Sequence, residues 1–358
     1  MMNLTSATPQ EIFLQAQLQQ SKPTAIGGMD LGGSKLEAAL FDGDLQEMTR
    51  QRWLIRGLDY PNLLDKLGEA ATWLDQTAWQ RGLGTNQAES DLMNQVKIPI
   101  GIGVPGVVDA TTRLAVTSNL PASGKPFRQD LVAKLGRNFA MGNDSGLLAL
   151  SEANGGAGTG FATVFGLIIG TGIGGGFCLN GRPHQGLNGA ASLMTSEVGH
   201  MRLSCEKLLA KAASLTEIPC GCGRVGCIET LVSGPGLTRL GHYFSGETLT
   251  AAEIAAAAFS NQGGQSGLAE AFDVWLDLLG ELAKAIQLAI DPDVIVLGGG
   301  LSQIAGLPEL MTERLSRIGL KSLKLPDICL AKFGAASGVR GAAWLAYHQA
   351  QSAVPKPL

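Results

Sequence analysis

The chain has 358 residues, 45% of them hydrophobic and 16% charged, with a formal charge of −4. That is length enough for two α/β lobes with an ample core. No apolar run approaches the roughly 18 residues needed to span a bilayer, and the mildly acidic balance leaves no basic footprint for nucleic acid.

In chain order, residues 1–23 form a polar, Gln-rich lead without targeting character. Residues 24–30 read as a strand, Gly32-Gly33 as a turn, 35–41 as a returning strand, and 50–55 as a third. Over 61–81, Leu63, Leu64, Leu67, Ala71 and Leu74 recur at helical spacing. A polar loop over 82–95 leads into a strand over 98–104. A helix over 128–135 and a strand over 138–141 end at Gly142-Asn143-Asp144, where a helix over 145–153 starts. The second half repeats the plan with a buried strand over 162–169, a glycine turn over 170–176 and a returning strand over 177–179. Helices follow over 235–244, 251–259 and 268–290, the last stopped by Pro292. A strand over 294–297 ends in Gly298-Gly299-Gly300, and a closing amphipathic helix spans 336–349. Two lobes that each open with strand, glycine turn and strand imply a cleft between them.

The densest chemistry lies in Cys220-Gly221-Cys222-Gly223-Arg224-Val225-Gly226-Cys227-Ile228-Glu229. Three thiols on one glycine-rich loop suit a tetrahedral zinc ion. Its fourth ligand is best supplied by His200, in Glu197-Val198-Gly199-His200, one of four histidines in the chain. Four protein ligands make such a zinc structural, and the alternative is three reduced thiols that ligate nothing. Cys178, Cys205 and Cys329 are scattered, as in a reduced, cytoplasmic protein. Glu229 would be a solvated surface residue if it stood alone; held by a metal-fixed turn, it is instead aimed at a substrate.

The 49 glycines are about twice the usual share, and they cluster. Asp30-Leu31-Gly32-Gly33-Ser34-Lys35 joins a carboxylate, bare backbone N–H groups, a hydroxyl and a cation, a set that suits an anion with its magnesium. Alone, such a Gly-Gly pair is usually only a hairpin turn. Two further loops, Gly170-Thr171-Gly172-Ile173-Gly174-Gly175-Gly176 and Gly298-Gly299-Gly300, also follow apolar strands, so one phosphorylated ligand gripped from several sides is expected. Gly170, Gly172 and Gly175 match G-x-G-x-x-G, but a dinucleotide fingerprint needs a helix opening at the third glycine, and residues 177–181 read as strand and turn. No P-loop motif occurs. Asn143-Asp144 precedes a helix, where such residues most often cap. Asp144 is nevertheless the best candidate for the carboxylate that phosphoryl transfer to a hydroxyl requires.

On these motifs, from residue 24 to about residue 347, the chain resembles the ROK sugar kinases of the actin-like ATPase superfamily. The cysteine loop with Glu197-Val198-Gly199-His200 carries most of that resemblance. The segments Ser118-Asn119-Leu120-Pro121-Ala122-Ser123-Gly124-Lys125-Pro126, Gly199-His200-Met201-Arg202-Leu203, the long gap from His200 to Cys220, and Asp291-Pro292-Asp293-Val294-Ile295-Val296-Leu297-Gly298-Gly299-Gly300-Leu301-Ser302 point to members that phosphorylate N-acetyl-D-glucosamine.

The resemblance implies a two-lobed actin-like ATPase (ribonuclease H-like) α/β fold with a structural zinc loop. Residues 24–139 would form the small lobe, with helix 336–350 packed on it, and 140–335 the large lobe. It implies ATP-dependent phosphorylation of the 6-hydroxyl, with ATP, magnesium and structural zinc as cofactors, and leaves a homodimer open. Asp144 would be the base, while Asn119, Asn143, Glu197, His200 and Glu229 would hold the sugar. Asp30, Gly32, Gly33, Ser34, Lys35, Gly170, Thr171, Gly172, Gly174, Gly175, Gly176, Gly298, Gly299 and Gly300 would surround ATP, and His200, Cys220, Cys222 and Cys227 would hold zinc.

Three departures from the family pattern stand out: Ser34 for the usual threonine, Ser145-Gly146 for Ala-Asn, and a lengthened loop over 190–196 with Ser196 where glycine usually precedes the glutamate. Glucokinase and fructokinase activities are the alternatives within the family. A sugar-sensing regulator is the alternative outside enzymes, disfavoured because residues 1–23 are too few for a helix-turn-helix.

Overall fold

The computed structural model describes residues 23–83, 97–109, 111–117, 119–184, 195–260 and 266–352. The N-terminal lead to residue 22, Ser118 and residues 190–194 of the lengthened loop lie outside the described residues.

Two sheets share one plan. In the first, β1 (Ala25–Leu31) pairs antiparallel with β2 (Lys35–Asp42), which pairs with β3 (Glu47–Leu54). On its other edge β1 pairs parallel with β4 (Ile100–Val104), giving way after the short hairpin β5 (Gly106–Val108) and β6 (Ala115–Thr117) to β7 (Ala140–Asn143), parallel to β4. In the second sheet β8 (Thr163–Ile169) pairs antiparallel with β9 (Ile173–Leu179). The short β10 (Arg182–Pro183) and β11 (Thr195–Ser196) both pair with β9, and β12 (Val294–Gly298) and β13 (Asp327–Leu330) continue parallel to β8. The repeated strand, tight turn, antiparallel return and parallel continuation are what the two glycine turns implied.

The helices follow local rules. In α1 (Tyr60–Gln80) the Asp59 side chain accepts from the Asn62 N–H, Pro61 sits in the first turn, and Leu63, Leu67, Ala70 and Leu74 are buried under the first sheet. Next come α2 (Phe127–Leu135), α3 (Asp144–Ala153), α4 (Glu206–Lys211), α5 (Glu229–Val232) and α6 (Gly234–Ser245), followed by α7 (Ala251–Phe259), which opens with a Thr250–Glu253 capping box. The long α8 (Ser266–Ile290) stops before Pro292, with Asp291 at φ 51°. The sequence reading passed over α9 (Leu307–Ile318), although Leu307, Met311 and Leu315 recur every fourth residue behind Pro308 and are all buried.

The final helix α10 (Ser337–Ser352) does not sit on the second sheet, from which the chain arrives. It crosses to pack on β1, β4 and β7 and against α3. Helices α3 and α10 thus fill the space between the sheets, around Ile26, Phe41, Leu147, Leu150, Val164, Val296 and Val339. A larger core lies beneath the second sheet, where Trp275 is fully buried and donates its indole N–H to the Val232 carbonyl at 2.9 Å. A buried aromatic of this kind contributes about 3–5 kcal/mol, here toward holding α5, the helix that begins with Glu229. No helix among the described residues is long and apolar enough to cross a membrane.

Candidate active site

Strand ends from both sheets and the first turns of α3 and α10 surround a cleft of about 250 Å³, lined by Asp30, Gly32, Pro105, Asp144, Ile168, Gly298, Gly299, Gly334, Ser337 and Gly338. The first and third glycine loops therefore meet Asp144, as the motifs implied. Gly299 has φ 85°, and a Cβ there would lie 2.5 Å from the Ile169 carbonyl, so glycine is what lets this turn close onto the second loop. Gly334, Ser337 and Gly338 were missed because their segment, Phe333-Gly334-Ala335-Ala336-Ser337-Gly338, reads as an ordinary small-residue helix start. Gly338 packs on Asp30, with a Cβ there falling 2.8 Å from its carboxylate.

Asn143 is the N-cap of α3, and its side chain accepts from the Ser145 N–H at 3.0 Å. That leaves Asp144 as the first helical residue. Asn143 is buried and also donates to the Gly106 carbonyl at 3.1 Å. Asn143 thus also supports the carboxylate beside it, in addition to the sugar contact expected of it. The unusual Ser145 donates its hydroxyl to the Gly175 carbonyl at 2.9 Å, and Gly146 meets Gly176, where a Cβ would lie 2.5 Å from the Gly146 Cα.

This close approach corrects the second loop. The turn proper is Gly170 to Gly172, and Gly174, Gly175 and Gly176 belong to β9. Gly175 and Gly176 are buried against neighbouring elements, where a side chain would not fit. In the first loop, Gly33 and Ser34 are exposed, but Lys35 is ion-paired to Glu37 at 2.6 Å. Glu37 is buried and also takes Arg52 at 2.7 Å, so Lys35 answers an internal charge. Asn119, at φ 58°, stands exposed beside Gly33 and not in the cleft lining.

Burial, then the nearby Asp144 and Glu37 carboxylates, push the Asp30 carboxyl up to about 6 against the pull of Lys35 and Arg50. Burial also raises Asp144, with the Glu197 carboxylate adding to it and the Ser145 N–H opposing. A raised carboxyl binds its proton more tightly folded than unfolded. Its charging therefore costs nothing below 3.8 and destabilises the fold increasingly as pH rises toward 6. Asp30→Asn is accordingly expected to raise stability above pH 7 by about 1 kcal/mol or more while lowering activity. Thermal melts at pH 5 and pH 8 check this, with the larger gain expected at pH 8; an equal or negative shift there contradicts it.

On the second-sheet side, one donor atom each from His200, Cys220, Cys222 and Cys227 lies within 4.8 Å of all the others. The Cys220 Sγ to His200 Nδ1 and Cys222 Sγ to Cys227 Sγ distances are both 3.6 Å. Ligand atoms around a tetrahedral ion with thiolate and imidazole bonds stand roughly 3.5–3.8 Å apart, so these two pairs have the required spacing and the donor set suits such an ion. Glu229 sits against it. Its Oε1 accepts from the Cys220 thiol at 3.4 Å, and its Oε2 accepts from the Ile173 N–H at 3.1 Å, beside the second glycine turn. The far nitrogen of His200, Nε2, lies 3.7 Å from Glu197 Oε2. A metal held there would orient His200 and Glu229, and the Glu197 carboxylate lies near enough to Asp144 to raise its carboxyl.

The model of the ROK family matches residues 26–349. The chain is 36% identical to the N-acetyl-D-glucosamine kinase of Pectobacterium carotovorum subsp. carotovorum (strain PC1), over 89% of this chain and 97% of that one. It is 38% identical to the N-acetylgalactosamine kinase AgaK of Shewanella sp. (strain ANA-3), over 89% and 96%. Among solved structures, the ROK hexokinase of Thermus thermophilus is 27% identical with a TM-score of 0.74, covering 92% of this chain and 99% of that one. The ROK family glucokinase of Streptomyces griseus, solved with glucose and AMPPNP, is 21% identical with a TM-score of 0.66, covering 90% and 99%, and supports the fold. With the duplicated sheets, the intersheet cleft and a family match across nearly its whole length, this chain is a member of the ROK family, a sugar kinase on the actin-like ATPase fold.

Proposed function

We propose that the protein transfers the γ-phosphoryl group of ATP to the 6-hydroxyl of N-acetyl-D-glucosamine, in the cytoplasm, as amino sugar salvage or cell-wall recycling requires. The observation that carries this reading is Asp144, a half-buried carboxylate at the start of α3, facing the cleft that Gly32, Gly298 and Gly299 line. Such a transfer needs a carboxylate to accept the hydroxyl proton and donors to hold the phosphates, since little else of the chemistry falls to the protein.

On this reading the phosphates lie along Gly32 to Ser34, Gly170 to Gly172 and Gly298 to Gly300. Asp30 is the carboxylate best placed to hold the magnesium that accompanies ATP and neutralises its charge. Glu197, His200 and Glu229 hold the ring, and Asp144 takes the proton from the 6-hydroxyl. Zinc suits the Cys220, Cys222, Cys227 and His200 set by donor type and spacing. With four protein ligands it would supply rigidity alone, fixing two sugar-binding side chains before substrate arrives. The sugar and ATP are the partners, and a homodimer is compatible with this arrangement.

A second reading is favoured by one observation. A relative named N-acetylgalactosamine kinase is as similar to this chain as those named for N-acetyl-D-glucosamine, and the two sugars differ only at the fourth carbon. Both readings need a pocket for the 2-acetamido group. Catalytic efficiency on N-acetylglucosamine is therefore expected to exceed that on glucose by at least about tenfold, which one filled acetyl pocket can supply. A coupled ADP assay over N-acetylglucosamine, N-acetylgalactosamine, N-acetylmannosamine, glucose and fructose decides. Equal efficiency on glucose would transfer the protein to the glucokinase reading, and a preference for N-acetylgalactosamine would favour the second.

A further inference from the structure

Glu152, about two turns along the helix that Asp144 begins, has no part in the chemistry above and no exposed surface. Yet both its carboxylate oxygens are fully engaged. Oε2 accepts from the Ala157 N–H at 2.8 Å and the Lys332 N–H at 2.9 Å. Oε1 accepts from the Phe333 N–H at 3.0 Å and the Ser337 hydroxyl at 2.9 Å. Four donors saturate the roughly four lone-pair sites of a carboxylate. A buried anion is costly unless satisfied in this way, so the arrangement specifies charge and geometry together.

Two of the four donors, the Lys332 and Phe333 N–H groups, belong to the segment between β13 and α10, and a third, the Ser337 hydroxyl, opens α10. This stretch supplies Gly334, Ser337 and Gly338 to the cleft, facing Gly298 and Gly299. Neighbouring contacts run the same way, with the Arg340 guanidinium on the Asn154 carbonyl at 2.9 Å and the Lys332 ammonium on the Gly155 carbonyl at 3.0 Å. The end of α3 is thereby pinned to the start of α10, while the start of α3 carries Asp144 and α10 leans on Asp30.

We infer that Glu152 is a positioning residue for the nucleotide, holding the 332–338 segment as the wall of the cleft against which the phosphate chain of ATP with its magnesium is seated. This rests on the reading that the cleft takes ATP. Glutamine is a sharp probe, because its amide would turn an N–H toward donors on one side while keeping an acceptor on the other. Glu152→Gln is expected to weaken magnesium–AMPPNP binding at least about tenfold, the usual scale for loss of a supporting partner. Its affinity for N-acetylglucosamine should stay within about twofold, because the sugar side chains stand on the metal loop. Ser337→Ala removes one donor and leaves the carboxylate, so it should move in the same direction by a few-fold and serves if the glutamine variant does not fold.

Titration calorimetry with magnesium–AMPPNP and separately with N-acetylglucosamine reads both. Parent protein that binds the nucleotide, with a folded variant of either kind binding it equally well, overturns this inference alone. Equal weakening of sugar and nucleotide also overturns it, since that marks general loosening. Parent protein that binds no nucleotide overturns the ATP reading and this inference with it.

Discussion

Replacing Asp144 by asparagine is expected to lower turnover by on the order of 10²-fold or more while leaving the fold and sugar affinity nearly intact. The carboxylate is already oriented by the Asn143 cap and the Ser145 N–H at 2.9 Å, and asparagine keeps both shape and acceptor oxygen. What asparagine lacks is the ability to take a proton. The raised Asp144 carboxyl further predicts that activity falls on the acid side at a higher pH than an exposed aspartate would give. Steady-state rates with calorimetric sugar affinity check the point, and a variant retaining more than about a tenth of parental turnover would place the base elsewhere.

Cys222→Ser is expected to abolish zinc binding at the cysteine cluster and to weaken sugar binding before nucleotide binding. Loss of one supporting partner in a metal site typically costs about 10–100-fold in affinity or activity. The direction follows from contacts. A metal on this set would fix His200, and Glu229 lies against Cys220, whereas Gly32 directly follows β1 and Gly298 and Gly299 stand at the end of β12. Elemental analysis of parent and variant with sugar and nucleotide titrations reads the effect. Parent protein that is active and holds no zinc would contradict the site, and an equal loss of both affinities would contradict its role.

The legible parts of the sequence were those in which local chemistry and long-range structure agree. The three cysteines and His200 converge in space because glycines at 221, 223 and 226 permit one tight loop, two of them at positive φ. The two strand-turn-strand openings were visible because each glycine turn interrupts an apolar run that must return on itself.

What was not legible depends on partners distant in sequence. Gly176 looks like a loop glycine until α3 is laid against β9, where close approach of Gly146 explains it, and Gly175 is explained by the Ser196 carbonyl and the Phe165 ring. Lys35 looks like a phosphate cation until Glu37 appears two residues on, buried and in need of charge. Glu152 looked like any helical glutamate, because three of its four donors lie 180 or more residues further on. The crossing of α10 to the first sheet, which brings Gly334, Ser337 and Gly338 into the cleft, has no local signature at all.

The central claim is that the cleft between the sheets passes phosphate from ATP to the 6-hydroxyl of an N-acetylhexosamine with Asp144 as base. The most direct measurement is incubation of the zinc-loaded protein with magnesium, ATP and N-acetylglucosamine, followed by two-dimensional phosphorus–proton NMR of the product. ADP is expected in equal amount to a sugar phosphate whose phosphorus couples to the two protons on the sixth carbon. Phosphate on the anomeric oxygen, or ADP formed at a rate indifferent to the sugar, would contradict it.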